Sequence, residues 1–186
     1  MPLSPPVPRR ELAHTRRIEL TGYSRDDGLF DIEARLTDTK SEGFSTDDRE
    51  WVHPGEPLHG MSMRMTVDEE MVIVGFEAAT DYSPYRICPE IAPNYSSLVG
   101  LTIGRGFLRA AAERVGGVHG CTHLRELLQP MATVAFQTLY PVLARRKSSS
   151  SAGKPALLNT CYAYRDDGPV VERKWPDQFV GGAVAL

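Results

Sequence analysis

The sequence predicts an α+β fold: an antiparallel sheet of two or more hairpins, with helices packed on one face. Three observations predict it. Two pairs of segments alternate apolar and polar residues across turn-forming residues. After Asp81 the pattern changes to that of helices. Strands come first and helices second, an order that suits helices segregated to one face of an antiparallel sheet. The chain has 186 residues, 41% hydrophobic and 24% charged. That is enough for one core and is the balance of a folded chain, which excludes disorder and coiled coils.

The first 15 residues hold four prolines and are expected to form an extended arm, because proline lacks an N–H and fixes its own φ. Ile18 to Tyr23 and Leu29 to Leu36 alternate, and Arg25-Asp26-Asp27-Gly28 lies between them. Its Asp-Gly supplies the positive φ of a tight turn, so a hairpin is expected. Residues 39–56 are polar and read as a loop. In the second hairpin Met61, Met63, Met65 and Val67 share one face, Asp68-Glu69-Glu70 turns, and Met71 to Ala78 returns. So many methionines could hold a soft metal, but thioethers filling the core face explain the period of two better.

Pro89 to Leu98 reads as a short helix with proline in its first turn. Phe107 to Val115 reads as a second helix, ended by Gly116-Gly117. The longest helix is expected from Thr122 to about Arg145, with Leu124, Leu127, Leu128, Met131, Ala135 and Leu139 as its core stripe and Pro130 as a kink or its true start. Residues 1–146 then form one α+β domain. Residues 147–154 are a Ser-rich linker. Residues 155–186 are a tail with short strands at Cys161 to Tyr164 and Val170 to Arg173. Arg165-Asp166-Asp167-Gly168 repeats the earlier turn tetrapeptide and reads as shared hairpin chemistry; no EF-hand spacing surrounds either copy.

Net charge is -3 and no long basic block occurs, so no nucleic acid partner is expected. No stretch approaches the roughly 18 apolar residues of a membrane span, so no membrane partner is expected. The first residues lack an apolar signal region, and the three cysteines are an odd number. Both point to reduced thiols and a cytoplasmic location rather than a disulfide framework.

The densest polar constellation is Val118-His119-Gly120-Cys121-Thr122-His123 at the start of the longest helix. A thiol there meets the positive end of the helix dipole, which favours thiolate, a nucleophile and metal ligand. Cys88 also opens a helix. His59 precedes the second hairpin and Asp81 follows it, so the two open ends should bring them together. His59, Cys88, Cys121 and His123 thus form a candidate tetrahedral set for a mononuclear zinc or iron ion, with Asp81 as an alternative ligand or supporting group. Cys161 reads as a packing residue and His14 and His53 as solvated ones. His119, between glycines, reads as a flexible neighbour of the set. No dinucleotide fingerprint, P-loop, nucleophile elbow or His-Glu-x-x-His motif occurs.

Pro5-Pro6-Val7-Pro8-Arg9-Arg10 with His14-Thr15-Arg16, Asp31-Ile32-Glu33 with Leu36-Thr37-Asp38-Thr39-Lys40, and Gly120-Cys121-Thr122-His123-Leu124 resemble the bacterial domain of unknown function 2889 family. The resemblance covers nearly the whole chain and implies no settled function. Residues 57–139 are also similar, in their order of parts, to the NifU-like iron–sulfur scaffold family. His59, Cys88 and Cys121 stand where that family places three cysteines. Met61 stands where it has an aspartate, and the interval from Cys88 to Cys121 is shorter than in that family. Those departures fit a mononuclear ion on mixed nitrogen and sulfur ligands.

The leading expectation is a cytoplasmic metal-binding protein with a Cys/His site, its ion acting as a Lewis acid on a small-molecule substrate. Two alternatives stand beside it. One is a cofactor-independent lyase or hydrolase of a small aromatic or acyl substrate, with Cys121 or a histidine as base. The other is a scaffold or interaction protein that docks through its arm and tail.

Overall fold

The computed structural model describes residues 3–8, 10–148, 155 and 157–181. It contains a four-stranded antiparallel meander, β1 (His14–Ser24), β2 (Phe30–Lys40), β3 (Pro57–Val67) and β4 (Ile73–Tyr82), in that spatial order. Cys88–Leu98 follows as a 3-10 helix, then α1 (Phe107–Val115) and α2 (Thr122–Ser148). This is the expected α+β class. The arm ends earlier than its prolines suggested, because β1 begins at His14 and pairs with Lys40.

Each hairpin follows from its turn chemistry. Gly28 takes φ +83°, and the Gly28 and Arg25 amides bond to the Arg25 and Leu29 carbonyls. In the second turn Asp68 Oδ1 accepts from the Glu70 and Val72 amides, both at 2.9 Å. That side chain mimics a backbone turn and lets Met71 adopt φ +65°.

The inner face of the sheet carries the core. Phe30, Ile32, Ala34 and Leu36 of β2 are buried, as are Met61, Met63, Met65 and Val67 of β3. The methionines are therefore core filling. Onto them pack Tyr95 and Leu98 of the 3-10 helix, Phe107, Ala111 and Val115 of α1, and the full expected stripe of α2. Each of the buried Val, Leu, Ile, Met and Phe side chains contributes about 1.5–3 kcal/mol on burial. The helix continues through Pro130, which is therefore not its start. β1 approaches α2 so closely at Gly22 that a Cβ there would meet Thr138 Oγ1 at 1.9 Å. The outer face alternates charges, with Arg64 bonded to Glu33 at 2.9 Å.

The chain divides into two compact units, 1–143 and 144–186. Residues 149–154 of the expected linker lie outside the described residues. The tail corrects the sequence expectation. Tyr162–Tyr164 is a 3-10 turn, and α3 (Pro169–Lys174) replaces the second expected strand. Pro169 presets the φ of a first helical turn, and a short apolar run does not by itself separate strand from helix. Cys161 is exposed rather than packed. All three cysteines are free thiols. No helix among the described residues is long and apolar enough to cross a membrane.

Candidate functional site

Arg16, Asp38 and His59 occupy one rung across β1, β2 and β3. Asp38 continues the inward phase of Phe30, Ile32, Ala34 and Leu36, so its carboxylate points into the domain and is only 1% exposed. A buried charge needs full pairing, and Asp38 has it. Oδ1 accepts from Arg16 Nε at 2.8 Å and lies 3.3 Å from His14 Nε2. Oδ2 accepts from Arg16 Nη2 at 2.7 Å and lies 3.0 Å from His59 Nδ1. An ionised carboxylate can only accept, so His59 Nδ1 carries the proton and its Nε2 is left with a free lone pair.

The first turns of α2 complete the site from above. His123 lays its ring against that of His59, with centroids 3.8 Å apart and planes tilted by 31°. One turn on, Glu126 pairs with Arg16 Nη1. Cys121 Sγ lies 3.8 Å from His123 Nδ1. The Cys121 backbone is fixed by Tyr95, which is fully buried. The Tyr95 hydroxyl donates to the Cys121 carbonyl at 2.9 Å and accepts from its amide at 3.1 Å. Glycine is required just before it: a Cβ at Gly120 would meet the Val115 carbonyl oxygen at 1.8 Å.

The electrostatics follow from this packing. Burial pushes the Asp38 carboxyl up, but the hydrogen bonds and charge of Arg16, aided by His59, outweigh it and hold Asp38 below its ordinary 3.8. The bonds to Asp38 in turn raise Arg16. Burial, then the neighbouring His123, lowers His59 from 6.5. Burial, then the charge of Arg16, lowers His123. Both imidazoles are therefore neutral at neutral pH, the state in which they ligate metals or accept protons. Burial pushes the Tyr95 hydroxyl up to about 12, so it remains a donor.

His59, Cys88, Cys121 and His123 all line one pocket of about 630 Å³. The structure thus gathers four of the five residues singled out from sequence. The fifth, Asp81, is exposed and lines a separate pocket with Asp48 and Arg49. Among the described residues, the group of three or more ligating side chains whose donor atoms all lie within 4.8 Å of one another is Asp38, His59 and His123, without either pocket cysteine. The carboxylate that meets the histidines is Asp38, not Asp81. His14 also departs from expectation: though 40% exposed, it pairs with Asp38. His53 and His119 are exposed.

Asp38, Arg16, Glu126 and Tyr95 were not singled out from sequence. A signal existed for Asp38, a carboxylate in phase with four core residues of a strand. For Arg16, Glu126 and Tyr95 none did, since each is defined by a contact across the fold.

The family model of a protein of unknown function, DUF2889, matches residues 14–137. This chain belongs to that family. The DUF2889 match begins at His14 and contains every residue of the site, from the β1–β2–β3 rung to Glu126. The second compact unit of this DUF2889 chain, 144–186, lies beyond it. No curated protein and no solved structure matches the chain.

Proposed function

We propose that this chain is a metal-binding protein whose site takes a single zinc or ferrous ion on His59, His123 and Cys121, with Cys88 on the same pocket wall as a fourth donor. The observation that carries the reading is the pair of neutral imidazoles whose ligating atoms lie within 4.8 Å of each other and of the buried Asp38 carboxylate, with Cys121 Sγ 3.8 Å from His123 Nδ1. Asp38 serves as the orienting partner, because both its oxygens are already occupied by Arg16, His14 and His59. A carboxylate on the far nitrogen of a ligating histidine fixes its tautomer and raises its basicity. One pair of donors fits: the 3.8 Å between Cys121 Sγ and His123 Nδ1 is close to the about 3.5 Å between sulfur and nitrogen ligands of tetrahedral zinc. Bound there, the ion supplies Lewis-acid chemistry toward a small molecule in the pocket. The chain's own residues orient His59, keep His123 unprotonated and hold the Cys121 backbone on Tyr95. A reducing cytoplasm suits thiol ligands and is the compartment we propose.

Metal content of protein made without a histidine tag tests the reading. About one ion per chain is expected, with loss in His59→Ala, His123→Ala and Cys121→Ser. Metal far below one per chain, unaltered by Cys121→Ser, overturns it.

A second reading rests on the 3.0 Å contact between Asp38 and His59 Nδ1. That dyad orients an imidazole as a general base without any metal. Turnover insensitive to chelators and lost in His59→Ala would favour it.

A further inference from the structure

The two edges of the sheet, β1 and β4, are finished differently. The chain itself closes the start of β4: the Ile73 amide donates to the Leu101 carbonyl, and the Ile73 carbonyl accepts from the Gly100 amide. The β3–β4 ladder also carries two register shifts, which bend an edge away from new partners. β1 has neither device. It pairs with β2 from His14 to Ser24 without a shift, and it contains no proline or lysine, residues that commonly block an edge. Among the described residues no strand lies beyond it.

The ladder fixes what β1 offers. The Arg25 amide bonds to the Leu29 carbonyl and the Ser41 amide to the Ala13 carbonyl, so the odd-numbered residues between them bond to β2. The amides and carbonyls of Arg16, Ile18, Leu20 and Gly22 therefore point outward. Ile18 lies opposite the buried Leu36, on the inner face, yet it is 38% exposed. It is an apolar side chain left at the rim of the core. Above it α2 runs from Glu126, paired with Arg16, to Thr138, set against Gly22. Arg17 and Glu19 flank Ile18 on the outer face, and both are exposed.

We infer that β1 pairs antiparallel with β1 of a second copy of this chain, about a two-fold axis at Ile18, and so joins the two meanders into one continuous sheet. Charged side chains on an edge normally deter pairing, but here they match. In this register Arg17 falls opposite the partner's Glu19, and Glu19 opposite the partner's Arg17. Thr15 falls opposite the partner's Thr21. Ile18 meets the partner's Ile18, and the outward amides and carbonyls satisfy one another. Moving the axis by one residue sets Arg17 against the partner's Arg17, or Glu19 against the partner's Glu19. Opposite charges directly across a strand pair attract and like charges repel, so charge selects both the occupant and the register. A contact of this kind is isologous and closes as a dimer. It needs no metal and is independent of the function proposed above.

Sedimentation of the full chain over a concentration series tests the inference. A species of twice the 20.6 kDa of one chain is expected. Ile18→Lys, on an exposed side chain, is expected to be monomeric with an unchanged circular dichroism spectrum. Arg17→Glu and Glu19→Arg each set like charges face to face at both symmetric positions, and each is expected to weaken the dimer about tenfold. The two reversals combined in one chain should restore it. Mixing the two single variants should also restore it, as a heterodimer. A wild-type chain that is monomeric at about 100 μM overturns the inference. So does a dimer that Ile18→Lys and both reversals leave intact, which would place the contact on another face or in the arm or tail. Reversals that weaken the dimer and are not rescued in combination overturn the register.

Discussion

The two ends of the inner sheet face are built from the same strands in the same phase, yet one is oily and the other ionic. At one end Phe30, Met65 and Phe76 pack beneath the helices with no polar group among them. Four inward positions from Phe30, in the same phase, the face ends in Asp38, flanked by Arg16 and His59. The oily end stabilises the fold simply by leaving water. The ionic end does so only if every partner is in place, because a buried charge loses its hydration. A fold needs only the first kind of end. The second marks where residues are held for chemistry rather than for packing.

Substitutions at the two ends should therefore fail differently. Asp38→Ala removes the shared acceptor of Arg16, His14 and His59, and is expected to cost about 3–5 kcal/mol in urea unfolding and to abolish metal uptake. A cost below about 1 kcal/mol would show that the network is only a solvated surface pair. Met65→Ala at the oily end leaves a cavity and is expected to cost about 2–5 kcal/mol. Its folded fraction should keep full metal content, so metal per folded chain separates the two ends even where stability does not.

Tyr95→Phe probes the seam between them. It deletes the hydroxyl shared by the Cys121 amide and carbonyl, and about 1–3 kcal/mol of stability should go with it. Because Cys121 loses its anchor, metal affinity should fall as well, while Tyr95→Phe in the absence of metal should keep the native helix content by circular dichroism.

Acid gives the smallest and most gradual effect. His59 and His123 are held below 6.5 in the folded chain, so on acidification the unfolded chain takes up protons first. Stability is then complete above about 6.5 and falls as pH drops toward the folded-state values. Asp38, held below 3.8, keeps its contribution above that value and loses it as pH falls through its own lower one. Urea midpoints of the metal-free chain should decline as pH falls below about 6.5, and the decline should flatten in a His59→Gln, His123→Gln chain. An unchanged slope in that variant would place the acid sensitivity elsewhere.

Much of this was legible in local patterns. The α2 stripe follows from 3.6-residue spacing, and every one of its six expected residues is buried. The two hairpins follow from period-two segments and their turns. Local pattern has a limit, which the repeated tetrapeptide shows. Arg25-Asp26-Asp27-Gly28 forms a hairpin turn with Gly28 at φ +83°, whereas Gly168 of the second copy sits at φ -102° and opens α3. In both copies the glycine amide bonds to the arginine carbonyl. The residues beyond the glycine differ: a strand that pairs back in the first copy, Pro169 in the second. At the site, the alternating segment read from sequence stops at Leu36, one inward position before Asp38, because a carboxylate looks like the beginning of a loop.

The sequence by itself determined the α+β class, the helix stripe, and the placing of His59, Cys88, Cys121 and His123 at the starts of elements. Only the tertiary structure decided which carboxylate meets them. Hairpin topology alone puts Asp81 near His59, but the β3–β4 register slips between Gly60 and Met61, and Asp81 ends exposed. Meanwhile β2–β3 pairing sets Asp38 opposite His59 just before its own slip at Thr39. One extra residue in a strand redirects every side chain beyond it, and no local pattern records where two strands will slip.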